Sequence, residues 1–302
     1  MPFSESYRKQ VDLLIRVIPI VAEETCFALK GGTAINLFVR DMARLSVDID
    51  LTYLPVQPYK ESLAAIDAAM GRIAAQVKAK IARSTVAEGQ KGSRTHLLVR
   101  ADGATVKIDV TPVLRGTIHD PETKSVTEKV EQEFGFAEIP VLSFADLYAG
   151  KIVAALDRQH PRDFFDTREL YGNEGVDDAL RRAFIVYLES HARPVHEVLT
   201  ARRKDMTLDY NRGFVGMTHE AVTLKELIEE REILISDIVG TMPDDHKKFL
   251  LSFERGTPDW KLIDLSGAAE LPAIKWRQEN LNSLPKERRA ELVAALEKIL
   301  SA

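Results

Sequence analysis

The stretch "SVDIDLTYL", beginning at Ser46, alternates between polar and apolar side chains. In an extended strand, successive side chains leave opposite faces. Val47, Ile49, Leu51 and Tyr53 therefore share one face, and Asp48, Asp50 and Thr52 the other. A strand of this kind predicts a sheet with one face covered and one open. The run "TVKIDVTP" has the same form: Val106, Ile108 and Val110 alternate with Lys107, Asp109 and Thr111. If the two strands are neighbours, three carboxylates converge on one face.

Two carboxylates about 4 Å apart repel by roughly 4 kcal/mol at an effective dielectric near 20. A fold keeps such a pair with a shared proton, a nearby Arg or Lys, or a divalent cation. Magnesium favours carboxylate oxygens and accepts phosphate as a co-ligand. Asp48, Asp50 and Asp109 would supply ligands for one or two metal ions, and a base for a hydroxyl nucleophile. A solvated polar face on an edge sheet is the alternative. Gly31-Gly32-Thr33 weighs against it, because it stands at a strand-to-helix junction where backbone N–H groups can hold phosphate.

Periodicity fills in the rest. A helix is expected from about Ser4 to Glu24, with Val11, Leu14, Ile15 and Ile18 on one stripe and a kink at Pro19. "CFALK" reads as a short buried strand, and a helix through Leu37 and Phe38 follows the glycines. Pro58 opens a long helix whose stripe is Leu63, Ile66, Met70, Ile73, Val77 and Ile81. Strands follow at "IARSTVAE", "THLLVRA" and "ATVKIDVTPV". Asp102-Gly103 makes a hairpin of the last two. "FAEIPVLS" is one more strand. From Ser143, which with Asp146 resembles a capping box, the pattern is helical to the last residue. The fold class is α+β, with a mixed sheet flanked by helices over residues 1–142 and a mainly helical domain over 143–302.

With 302 residues the chain has ample core for two domains,. Its net charge of −5 argues against a nucleic-acid binder that uses its whole surface, while leaving room for a local basic patch,. The single cysteine, Cys26, excludes an internal disulfide. No signal peptide or membrane-length apolar run is visible, so a cytoplasmic location and no membrane partner are expected.

A second cluster lies in "SFADLYAGKIVAALDRQHPRDFFDTREL". Lys151 and Arg158 share one helix face, and Asp163 and Asp166 share the start of the next, beside Arg162. A salt-bridged helical hairpin is the plain reading of these spacings. His160 reads as a turn residue. His96, His119, His191 and His196 have no ligand spacing with cysteine, so no zinc site is expected.

The ordered set Gly31, Gly32, Thr33, Arg44, Ser46, Asp48, Asp50, Lys107, Asp109, Lys151, Arg162, Asp163 and Asp166 resembles the AbiEii/AbiGii-type nucleotidyltransferase toxins of the DNA polymerase β-like nucleotidyltransferase superfamily. The segment "LPAIKWRQENL" looks like that family's C-terminal part. The wider superfamily carries Ser where Thr33 stands and a shorter spacing to the Asp pair; here fourteen residues, 34 to 47, intervene. The resemblance implies transfer of a nucleoside monophosphate from an NTP to an acceptor, with release of pyrophosphate. It implies Mg²⁺ on Asp48, Asp50 and Asp109. Gly31, Gly32, Thr33 and Ser46 would bind nucleotide phosphates. Lys151, expected to be exposed or to face a cleft, would neutralise the triphosphate with support from Arg162, and Asp163 would orient Lys151 or act as base. The implied partners are an RNA acceptor, the 3′ end of tRNA, and a separately encoded antitoxin.

Between Arg181 and Lys204, six Lys/Arg stand against two acids, a net charge of +4. This is compatible with RNA phosphate contacts. A solvated helix face is the other reading. Two further functions compete with the RNA-directed toxin: the same chemistry on a small molecule or protein, and an inactive interaction scaffold.

Overall fold

The computed structural model describes residues 3–90 and 92–301. It divides into two compact units, Met1–Ser143 with Phe214–Ala221, and Phe144–Gly213 with Val222–Ala302.

The first unit is built on a seven-stranded mixed sheet. Helix α1 (Glu5–Ala22) continues past Pro19 and buries Val11, Leu14, Ile15 and Ile18. Strand β1 (Phe27–Lys30) leads into a one-turn helix α2 (Gly31–Ala34). The helix expected through Leu37 and Phe38 is present, but Ile35–Val39 is wound as a π-helix. Then come β2 (Asp48–Tyr53), α3 (Tyr59–Lys80), β3 (Thr85–Glu88), β4 (His96–Ala101) and β5 (Ala104–Arg115). The unit ends with β6 (Glu122–Ser125), α4 (Glu128–Phe134) and β7 (Glu138–Val141).

The strand order is β3-β4-β5-β2-β1-β7-β6. β2 lies parallel to β5 and antiparallel to β1, so β2 is a central strand. Helices α1 and α3 pack on β5. Ile66, Met70, Ile73 and Val77 of α3 are buried, as are Ile49, Leu51, Val106 and Ile108 of the sheet. The hairpin is where the sequence puts it: Asp102 and Gly103 take φ of 52° and 78°, the left-handed pair that a two-residue turn needs,. Strand β6 and helix α4 escape the sequence reading. Both are short, and α4 (EKVEQEF) buries only Val130.

Phe214–Ala221 is also missed. Thr218 forms a bridge with Arg44, the Leu45 N–H donates to the Met217 carbonyl (2.7 Å), and the Ser4 N–H donates to the Gly216 carbonyl (3.1 Å).

The second unit is helical, with no strand among its described residues. It runs through α5 (Phe144–Arg158), α6 (Pro161–Asn173), α7 (Asp178–Glu189), α8 (Val195–Thr200) and α9 (Thr207–Gly213). After the excursion come α10 (Leu224–Ile238), α11 (Asp244–Glu254), α12 (Pro272–Ser283) and α13 (Lys286–Leu300). Helix α5 packs against α6 and α7, and Phe164, Phe184, Phe249 and Phe253 are buried. Among the described residues no helix is long and apolar enough to cross a membrane.

Candidate active site

The sheet register brings the three aspartates together. Asp50 on β2 pairs with Asp109 on β5, and Asp48 pairs with Lys107. Register partners point to the same face, and neighbouring strands run about 4.8 Å apart. The row extends to both sides: Lys30 of β1 pairs with Asp50, and His96 of β4 pairs with Asp109. Sequence reading missed Lys30 and His96 as members of this row. The signal for Lys30 was its even phase in "FALK", opposite Phe27 and Leu29. For His96 there was none before the β4–β5 register was known.

The glycines are required by close packing. A Cβ on Gly31, whose φ is +74°, would lie 2.8 Å from Asp50 Oδ2. On Gly32 it would lie 2.6 Å from Arg44 Nη2 and 2.9 Å from Ser46 Oγ. The pair thus lets the start of α2 press onto the aspartate strand and the loop before it. Thr33 is buried, 1% exposed. Its hydroxyl donates to the Asp48 carbonyl and lies 3.1 Å from Ser46 Oγ. In this arrangement the hydroxyl expected to touch phosphate ties α2 to β2. Asn36 supports the same turn, donating to the Gly32 carbonyl (3.0 Å) and accepting from the Arg44 N–H (3.2 Å).

The like charges are offset by lysines. Lys107 closes an ion pair with Asp109. That hydrogen bond, outweighing partial burial and helped by the charges of Asp109, Asp48 and Asp50, raises the Lys107 pKa. Burial lowers that of Lys30, and Asp50 and Asp109 oppose the shift. Among the described residues no three carboxylate, imidazole or thiol side chains are gathered as a metal site. The donor set is nonetheless of the right kind: hard carboxylate oxygens on one half-exposed face suit magnesium,. Opening the Lys107–Asp109 pair would free the third carboxylate for it.

In the second unit Lys151 is 5% exposed, so of the two expected settings, exposed or facing a cleft, it does not take the exposed one. Its Nζ lies 3.0 Å from Asp163 Oδ1 and 2.9 Å from Asp166 Oδ2. Arg158 donates to both oxygens of Asp163, at 2.6 and 2.7 Å. Burial opposes ionisation of Asp163, but Lys151 and Arg158 together hold its carboxyl well below the usual range. The cluster locks α5 to α6, the hairpin that the spacings suggested. Arg162 is partly exposed. His160 is the N-cap of α6, with Nδ1 accepting the Arg162 N–H at 3.1 Å. Burial, then the neighbouring Arg162, pushes its ring down to about 4.

The basic segment is largely paired within the unit. Arg181 binds Asp237, Arg182 binds Asp178, Arg193 binds Asp157 and Glu197, and Arg203 binds Glu232. Arg193, Arg202, Arg203 and Lys204 nevertheless line one cavity of about 280 Å³ with Asp157 and Glu197.

Residues 12–280 match the family model described as "Nucleotidyl transferase AbiEii toxin, Type IV TA system". The chain belongs to the AbiEii nucleotidyltransferase toxin family. It is therefore a nucleotidyltransferase of a toxin–antitoxin system, and the type of system implies a separate antitoxin. In fold the AbiEii chain is similar to MenT4, a nucleotidyltransferase toxin from Mycobacterium tuberculosis H37Rv, with a TM-score of 0.60, 13% identity, and coverage of 97% of this chain and 93% of that one. No curated protein matches it in sequence.

Proposed function

We propose that this AbiEii protein transfers a nucleoside monophosphate from an NTP to an RNA acceptor, the 3′ end of tRNA, in a magnesium-dependent reaction that releases pyrophosphate. The observation that carries the reading is the in-register pairing of Asp50 with Asp109, with Asp48 on the same face and Gly31 packed against Asp50. Asp48, Asp50 and Asp109 would hold the metal, which when bound supplies charge to the phosphates and acidity to a coordinated oxygen. Asp109, once free of Lys107, is also the candidate to accept the acceptor hydroxyl proton. Gly31, Gly32 and Ser46 shape the wall beside the phosphates, with Thr33 bracing that wall from behind.

For Lys151, Arg162 and Asp163 the support is the family motif. A cytoplasmic site of action follows from the RNA substrate. The ion pairs engaging Arg181, Arg182, Arg193 and Arg203 favour, as a second reading, an acceptor smaller than RNA.

Incubation of the purified protein with total tRNA, Mg²⁺ and each α-³²P-labelled NTP in turn tests both. Label on tRNA that disappears with EDTA is the expected result. Label on no RNA with any NTP would overturn the RNA reading.

A further inference from the structure

Three lysines stand in or beside the motifs, and their surroundings differ. Lys107 is closed on Asp109, and Lys151 is held between Asp163 and Asp166. Lys30 is different. It is half-buried at the end of β1, in register with Asp50 and one strand further from Asp109. Both carboxylates act on it electrostatically, yet among the described residues its ammonium closes no ion pair or hydrogen bond. Three donors on a partly desolvated cation are thus uncommitted, beside a row of carboxylates, directly before the glycine that packs onto Asp50. Desolvating an ammonium is unfavourable unless an anion comes to it. The protein's own anions are near but do not take it.

Resting on the function proposed above, we infer that Lys30 is a further catalytic residue, whose ammonium binds a phosphate oxygen of the donor triphosphate. It exchanges no bond and no proton. It supplies fixed positive charge on the same face as the aspartates, where negative charge accumulates as pyrophosphate leaves. The competing role is a structural counter-ion for Asp50.

The test is calorimetric titration of the full chain with inorganic tripolyphosphate in the presence of Mg²⁺, a probe that does not depend on the base. Lys30→Gln should weaken binding about 10- to 100-fold, the worth of a hydrogen bond between charged groups. Lys30→Arg, which keeps the charge, should stay within about threefold of the wild type. Unchanged affinity in Lys30→Gln, an equal loss in Lys30→Arg, or a Lys30→Gln protein that does not fold would each overturn the proposal. A wild type that transfers nucleotide while Lys30→Gln binds normally removes Lys30 alone. A wild type that binds neither tripolyphosphate nor any NTP removes the site proposed above for the NTP and Lys30 with it.

Discussion

Asp50 and Asp109 sit side by side on parallel strands, in register and on one face, and Lys107, two residues before Asp109, turns back to neutralise it. The like charges are therefore compensated in the free protein, and the compensation is removable.

Asp50→Asn should lower nucleotide transfer by roughly 10²–10³-fold, the scale of losing one electrostatic element of a site. The thermal midpoint should hold or rise, because the substitution relieves repulsion with Asp48 and Asp109 and severs no direct ion pair. Transfer to tRNA and the melting midpoint are measured on the same preparation. A clear fall in the midpoint would give Asp50 a structural role.

Lys151→Met should destabilise the protein by about 3–5 kcal/mol, the usual consequence of stranding buried carboxylates. Asp163 and Asp166 are both fully buried, and the Lys151 ammonium is shared between them. Urea unfolding followed by circular dichroism measures this. A midpoint that stays in place while turnover is lost would show that Lys151 serves the triphosphate directly.

Glu189 and Glu254 lie buried beside Arg277, which donates to Glu254 (2.7 Å). Among the described residues both Glu189 oxygens lack a hydrogen-bond partner. Burial, and then the Glu254 charge, raises the Glu189 pKa well above its ordinary value. A raised folded-state pKa contributes stability below the unfolded value, and that contribution is lost as pH rises through the folded one. Glu189→Gln should therefore flatten the fall of stability as pH rises from the ordinary carboxylate range into alkaline solution, gaining about 1–3 kcal/mol at the alkaline end. Urea midpoints of both proteins across that range decide it; parallel curves would reject the argument.

Gly32→Ala and Gly103→Ala separate crowding from backbone strain. At Gly32 the new methyl would meet the buried Arg44 and Ser46 side chains. A cost of about 1–3 kcal/mol, typical of overpacking, is expected together with loss of transfer. At Gly103, φ is +78° but nothing lies within 4 Å. There the cost should be about 1 kcal/mol, with transfer intact. Equal activity losses in the two variants would remove Gly32 from the site.

What the sequence disclosed was mostly phase. Strand alternation placed Asp48, Asp50 and Asp109 on open faces, because a period of two survives whatever the strands pair with. It was silent on order in the sheet, so Lys30 and His96 entered the row only through pairing. Helix periodicity located α5 and α6, but burial of Lys151 depends on how those helices pack. Net charge along Arg181–Lys204 was read correctly as a count and poorly as a surface, since the neutralising Asp237, Asp157 and Glu232 lie outside that run.

The return of Phe214–Ala221 to the sheet unit bears on synthesis. On the ribosome the strands through β7 emerge first, but the loop leading into Asp48 has its partners, Met217 and Thr218, only well after the end of β7 at Val141. Until then Arg44 and Leu45 lack the bridge that holds them. A nascent chain that has reached Ser143 carries every aspartate of the row without the pin on the strand that presents two of them. The pinned form of the aspartate row is reached only after α5 to α9 have been made, so chains truncated before Phe214 should carry the aspartates and lack the bridge that holds the loop before them.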